Sequence, residues 1–179
     1  MPAARESLLD AAGAALSARP WPAVRMVEVA AAAGVSRQTL YNEFGGKAGL
    51  GRALVRREAE RYLDGVDRAL AAPAEDAERL AAVAEWTVRA ARARPLVRAL
   101  LTGAWDPELP AAGRAPGPGE LARAVRDRAA GALAPREDAR RCELVVRLAL
   151  SYVVAPGEEP DAREMLRLLS EPNRTAGAR

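Results

Sequence analysis

Apolar residues recur every three or four positions along most of this chain, which is the spacing of one helix face and not the alternation of a strand. Over residues 4–18, Leu8, Leu9, Ala12, Ala15 and Leu16 fall on one face, and Pro20 and Pro22 stop the pattern. Residues 26–33 predict a short helix with Val29 and Ala30 turned inward, followed by Gly34, suited to a left-handed cap. Ser36 can then cap a third helix over 37–44, which Gly45 and Gly46 end. A long helix is expected from Lys47 to about Ala71, with Leu50, Leu54, Tyr62, Val66 and Leu70 on its buried side. Further helices are expected over 75–94, 96–104, 120–133, 136–155 and 160–170, with a proline- and glycine-rich loop, DPELPAAGRAPGPG, over 106–119.

Composition supports an all-α fold. Half of the 179 residues are hydrophobic, many of them alanine, and aromatics make up only 4%. The net charge is +3, and its placement says more than its size. Residues 1–62 hold nine Lys and Arg against six Asp and Glu, whereas the remainder holds 18 of each. A basic excess confined to the N-terminal third suits an anionic partner such as DNA, although +3 is also within reach of chance.

Other chemistry is thinly represented. The chain has no histidine and a single cysteine, Cys142, so the usual general base and a cysteine zinc site are both missing. The carboxylates are scattered over amphipathic faces, with no acid–base pair of the kind an enzyme needs. We therefore expect no enzyme, no cofactor and no metal site. No apolar run approaches the roughly 20 residues that span a bilayer, and the N-terminus lacks a signal-peptide layout, so a cytoplasmic protein without membrane contact is expected.

The informative stretch is VEVAAAAGVSRQTLYNEFGGKAGL, residues 27–50. Two short helices joined by a tight turn at Gly34 make the helix-turn-helix plan, whose second helix enters the major groove. On a helical wheel, Leu40 and Phe44 point inward and Gln38 and Asn42 outward, with Thr39 and Tyr41 on the flanks. Amide groups can pair with adenine edges, a Thr methyl with thymine and a Tyr hydroxyl with phosphate. Arg37 falls near the buried edge of the wheel, yet its long stem in the first turn can reach phosphate or guanine.

Lys47 stands in the first turn of the long helix. A cation there opposes the helix dipole at a cost of roughly 0.3–1 kcal/mol, which a bound phosphate would reverse. The alternative is a lysine that is merely solvated. Arg52, Arg56, Arg57 and Arg61 further along read as a solvated face partly paired with Glu58 and Glu60.

The segment AAAGVSRQTLYNEFGGKAGL closely resembles the signature of the TetR family of transcriptional regulators, and SLLDAAGAAL stands where that family has its first helix. The specific match covers roughly residues 5–55. The resemblance implies a homodimer that binds a near-palindromic double-stranded DNA operator, usually as a repressor released by a small ligand. It also implies that Ser36, Arg37, Gln38, Thr39, Tyr41, Asn42 and Lys47 touch DNA. Tyr41 and Lys47 would hold phosphates, and Arg37, Gln38, Thr39 and Asn42 would lie nearer base edges. Residues 1–46, with the start of the connecting helix 47–71, would form the DNA-binding domain, and 72–179 a ligand-binding and dimerisation domain. Two departures stand out. Relatives commonly open the second helix with Ser or Thr, a cap worth about 1 kcal/mol, where this chain has Arg25 and Met26; the Arg25 charge can reach a phosphate in place of the Thr hydroxyl. The link after the first helix, usually marked by a glycine, reads RPWPAV.

The second half carries weaker signals. From Leu144 onward the segment REDARRCELVVRLALSYVVAP is apolar almost all round, and such a helix must be covered on every side. A subunit interface with Leu144, Leu148, Tyr152, Met165 and Leu169 would cover it, as would a central place within one monomer. Tyr62, Trp86, Trp105 and Tyr152 are candidate lining groups for an effector pocket, with plain core as the alternative for each; Arg89 could meet an anionic ligand or lie in solvent. The small-molecule effector is unknown; few aromatics and no histidine favour an apolar or amphipathic one.

Overall fold

The computed structural model describes residues 2–133 and 137–155. Among them every regular element is helical: α1 (Pro2–Ala18), a single 3₁₀ turn (Trp21–Ala23), α2 (Met26–Ala32), α3 (Arg37–Phe44), α4 (Lys47–Leu70), α5 (Asp76–Ala93), α6 (Pro95–Thr102), α7 (Pro118–Ala132) and α8 (Glu137–Val154). The helix expected over 160–170, with Met165 and Leu169, lies outside the described residues. No described helix is long and apolar enough to cross a membrane. Proline sets two of the boundaries. Arg94 is extended, as the residue before a proline tends to be, and α6 opens at Pro95. Likewise α7 opens at Pro118, two residues before the expected start, because proline's φ suits the first helical position.

The chain forms two compact units. The first comprises the residues up to 61 together with 95–117, and the second 62–94 with the described residues from 118 onward, so α4 contributes to both. In the first unit α1, α2 and α3 pack on one another around Leu8, Val29, Ala30 and Leu40, with Leu50 and Leu54 of α4 fully buried. The strongly apolar α6, with Leu96, Val97, Leu100 and Leu101 buried, belongs to this unit too.

Arg57 corrects the expectation of a solvated arginine face. Arg52 and Arg56 are exposed, but Arg57 is only 7% exposed. Its guanidinium donates to the Leu9 carbonyl at 2.6 Å and to Asp10 at 2.8 Å, and Glu6 lies 3.6 Å away. Arg61 joins Asp10 at 3.0 Å. The cause is helical phase: residue 57 follows Leu50 by two turns and so lies on the same buried stripe. Partial burial raises the Asp10 pKa, but the Arg61 hydrogen bond and the Arg57 charge outweigh it and hold the carboxyl below its usual value.

In the second unit α8 packs against α5 and α7 around Val83, Thr87, Val125, Cys142, Val146 and Ala149. Tyr62 is buried with its hydroxyl 3.0 Å from that of Thr87, which itself donates to the Val83 carbonyl. Burial pushes the Tyr62 pKa up to about 12 against the opposing Thr87 hydrogen bond, and it lifts the Cys142 thiol to about 11. Trp86 lies so close to Gly65 that a Cβ there would come within 2.1 Å of the indole.

Two outcomes are expected. Gly65→Ala should displace the Trp86 ring, shift the tryptophan emission and destabilise the protein by about 1–3 kcal/mol through overpacking, measured by fluorescence-detected denaturation. The depressed Asp10 pKa stabilises the fold fully above its ordinary value of 3.8, and this contribution fades as pH falls through the lower folded value. Asp10→Asn should therefore be less stable than wild type at pH 7, with the gap closing on acidification.

Candidate nucleic-acid interface

The turn between α2 and α3 is built from backbone geometry. Gly34 has φ +68°, a conformation that costs glycine nothing, and the N–H groups of Gly34 and Val35 return to the carbonyls of Ala31 and Ala30. Ser36 then caps α3: its Oγ accepts from the Thr39 N–H at 3.0 Å and meets the Thr39 hydroxyl at 2.9 Å. Arg25 holds the N-cap position of α2 with no side-chain cap, and its carbonyl alone takes the N–H groups of Glu28 and Val29. Arg25 is exposed there.

The two faces of α3 differ as its pattern requires. Leu40 and Phe44 are buried. Arg5 covers the Phe44 ring at 4.6 Å and donates to the Glu43 carbonyl, pinning α1 to the end of α3. On the other face Gln38 and Asn42 are exposed and bonded to each other, the Gln38 amide donating to Asn42 Oδ1 at 2.8 Å. Thr39 is half-buried and Tyr41 41% exposed, with the Arg37 guanidinium 6.0 Å from the Tyr41 ring. Arg37 is exposed, although the wheel puts it near the buried edge.

The α3–α4 junction sets the direction of this face. The backbone carbonyl of Phe44 approaches α4 so closely that a Cβ on Gly49 would sit 1.7 Å from its oxygen. Lys47, in the first turn of α4, is already engaged: its ammonium donates to the Pro22 carbonyl at 2.8 Å and lies 5.6 Å from the Trp21 ring centre.

Comparison with known proteins agrees with this geometry. A family model for bacterial regulatory proteins of the tetR family matches residues 8–54, the span from α1 into α4. The HTH-type transcriptional regulator AlkX of Mycobacterium tuberculosis is 35% identical over 184 residues, covering 93% of this chain and 83% of that protein. The chain is a member of the TetR family. Solved TetR-family structures share its fold: the repressor AlkX of Dietzia sp. strain DQ12-45-1b, implicated in biodegradation of n-alkanes, is 24% identical with a TM-score of 0.54, covering 92% of each chain. A TetR regulator from Rhodococcus sp. RHA1 is 26% identical with a TM-score of 0.52, covering 93% of each. As a TetR-family member the protein is a DNA-binding transcriptional regulator and not an enzyme.

The remaining expected site residues divide between the two units. Tyr62, Trp86, Arg89 and Tyr152 belong to the second unit of this TetR-family chain, whereas Trp105 belongs to the first, where its indole donates to the Pro110 carbonyl at 2.8 Å. Trp86 donates to the Tyr62 carbonyl, and the Arg68 and Arg89 guanidinium groups lie 5.9 and 5.5 Å from its ring centre. Leu144 on α8 is 57% exposed, and Leu148 and Tyr152 on the same helix are half-buried. Arg5, Trp21 and Gly49 are structural supports that periodicity does not single out; for Gly49 the signal is a third glycine at 45, 46 and 49, just where one helix gives way to the next.

Gly49→Ala should force α3 and α4 apart and destabilise the protein by about 2 kcal/mol or more. DNA binding should fall with it even for the folded fraction, as measured by thermal unfolding and duplex titration in parallel. Ser36→Ala should cost about 1 kcal/mol through removal of the cap.

Proposed function

We propose that this protein is a ligand-released repressor that binds a near-palindromic operator as a homodimer. The observation that carries the reading is the outward face of α3, where Gln38, Tyr41 and Asn42 are exposed and Thr39 half-buried at its flank, opposite a buried Leu40 and Phe44. Each dimer places two such helices in successive major grooves, about one helical turn apart. Arg37, Gln38, Thr39 and Asn42 face base edges, while Ser36, Tyr41, Lys47 and Arg25 hold the backbone. Residues 1–46 with the start of α4 read DNA, and the elements that bind the effector and dimerise lie within 72–179, apart from the 95–117 segment that belongs to the first unit.

Dimerisation through α8 is supported by the exposure of Leu144 and Val154, 57% and 64% in the single chain. Leu144, Leu148 and Tyr152 recur at intervals of four and form one stripe. An apolar or amphipathic effector fits a chain with few aromatics and no histidine, and the n-alkane connection of the Dietzia relative points the same way. Because α4 is continuous from Lys47 to Leu70, an effector that shifts its C-terminal half reorients the reading heads. DNA and effector affinities are then reciprocally coupled.

The test is selection of bound sequences from a random duplex library at near-physiological salt. A palindromic consensus is expected; no enrichment by a folded dimer would overturn the reading. Lys47→Ala and Tyr41→Phe should weaken binding to every sequence alike. Gln38→Ala should change sequence preference, and at more than one base pair, because it also frees the Asn42 amide from its 2.8 Å hydrogen bond.

A further inference from the structure

Two oddities of this chain meet in the first unit: the Trp-Pro link between α1 and α2, and the proline- and glycine-rich segment that follows α6. The Trp21 N–H donates to the Glu108 carbonyl at 2.7 Å. Pro110 is buried, and it closes with the Trp21 indole over Gly51 of α4, where a Cβ would meet them at 3.0 and 3.2 Å. The Trp105 indole N–H donates to the Pro110 carbonyl at 2.8 Å and so closes the turn that carries it. Trp21 in turn bears on Lys47, whose ammonium lies 5.6 Å from its ring centre and donates to the carbonyl of the next residue, Pro22.

We propose that residues 103–117 form a strap that positions Lys47 for a DNA phosphate, with Trp105 and Pro110 as positioning residues that act through Trp21. The proposal rests on the reading of Lys47 as a phosphate contact. A lysine stem has many rotamers, and a free one must be ordered at the moment of binding. Here the Pro22 carbonyl and the indole select one rotamer beforehand. One of the three ammonium N–H groups is used at Pro22, which leaves two for a phosphate oxygen at the start of α4. The position of the Pro22 carbonyl depends on Trp21, and Trp21 is held by the strap through one backbone hydrogen bond and the packing over Gly51. An ordinary glycine link would provide neither the ring nor the fixed carbonyl.

The experiment measures affinity for the selected duplex and for a random-sequence duplex as a function of salt. It uses the full-length protein as wild type, Lys47→Ala, Trp105→Phe, Pro110→Gly and Lys47→Ala/Trp105→Phe, with thermal melts giving the folded fraction. Lys47→Ala should weaken both duplexes and reduce the slope of log K against log salt by about 0.9 for each phosphate that the ammonium neutralises. Trp105→Phe and Pro110→Gly should each weaken both duplexes by about threefold to tenfold with a shallower slope, and Trp105→Phe should add little in the Lys47→Ala background. Strap variants that weaken binding equally with and without Lys47, that leave the slope unchanged, or that bind as wild type while folded would overturn the strap. A Lys47→Ala protein with an unaltered salt slope would instead overturn the phosphate reading itself, and the strap proposal with it.

Discussion

At the end of α3 the carbonyl of Phe44 occupies the space that any side chain at position 49 would need. The placement of α3 depends on that close approach. Because α3 is only eight residues long, it has too few internal hydrogen bonds to hold itself in place and relies on its neighbours. Leu40 and Phe44 anchor it from below, Arg5 covers the Phe44 ring, and Gly49 lets the start of α4 approach its last turn at backbone distance. With these three supports, the polar face of α3 can be rigid without using any of its own side chains for packing.

A second constraint is electrostatic. Arg57 carries a buried guanidinium from α4 to the Leu9 carbonyl and the Asp10 carboxylate of α1, with its Nε left without a partner. Burying a charge is costly unless it is paired and hydrogen-bonded. What the arrangement gains is geometry: a forked donor satisfied by a main-chain carbonyl and a carboxylate fixes one helix against another in one register. Arg61 engages the same Asp10 one turn further on. The long helix α4 is thus locked to α1 by charge as well as by Leu54, which lies beside Gly13 of α1.

Much of the fold and of the exposed polar face of α3 is legible in the residues, for an identifiable reason. Gly34, Ser36 and Gly45 mark boundaries through local backbone chemistry, and α3 begins and ends where those residues put it. The inward positions Leu40, Phe44, Leu50, Leu54, Tyr62, Val66 and Leu70 follow from helical phase alone, and all are buried. Arg57 departs from the expected solvated face although its phase matches Leu50, because for this residue position outweighs the usual preference of its side chain for water. Arg37 departs in the opposite direction: it is exposed although its helical phase lies beside that of Leu40 and Phe44.

Among the described residues, contacts within a few positions are enough to make the segments helical, to stop them and to leave one side of α3 polar. Contacts between distant segments come from the folded chain alone: the Trp21 link against the strap at Glu108 and Pro110, and the Lys47 ammonium on the Pro22 carbonyl. Those pairings join residues tens of positions apart through single hydrogen bonds and ring contacts. No local periodicity encodes such contacts, and they exist only once the whole core has closed around them.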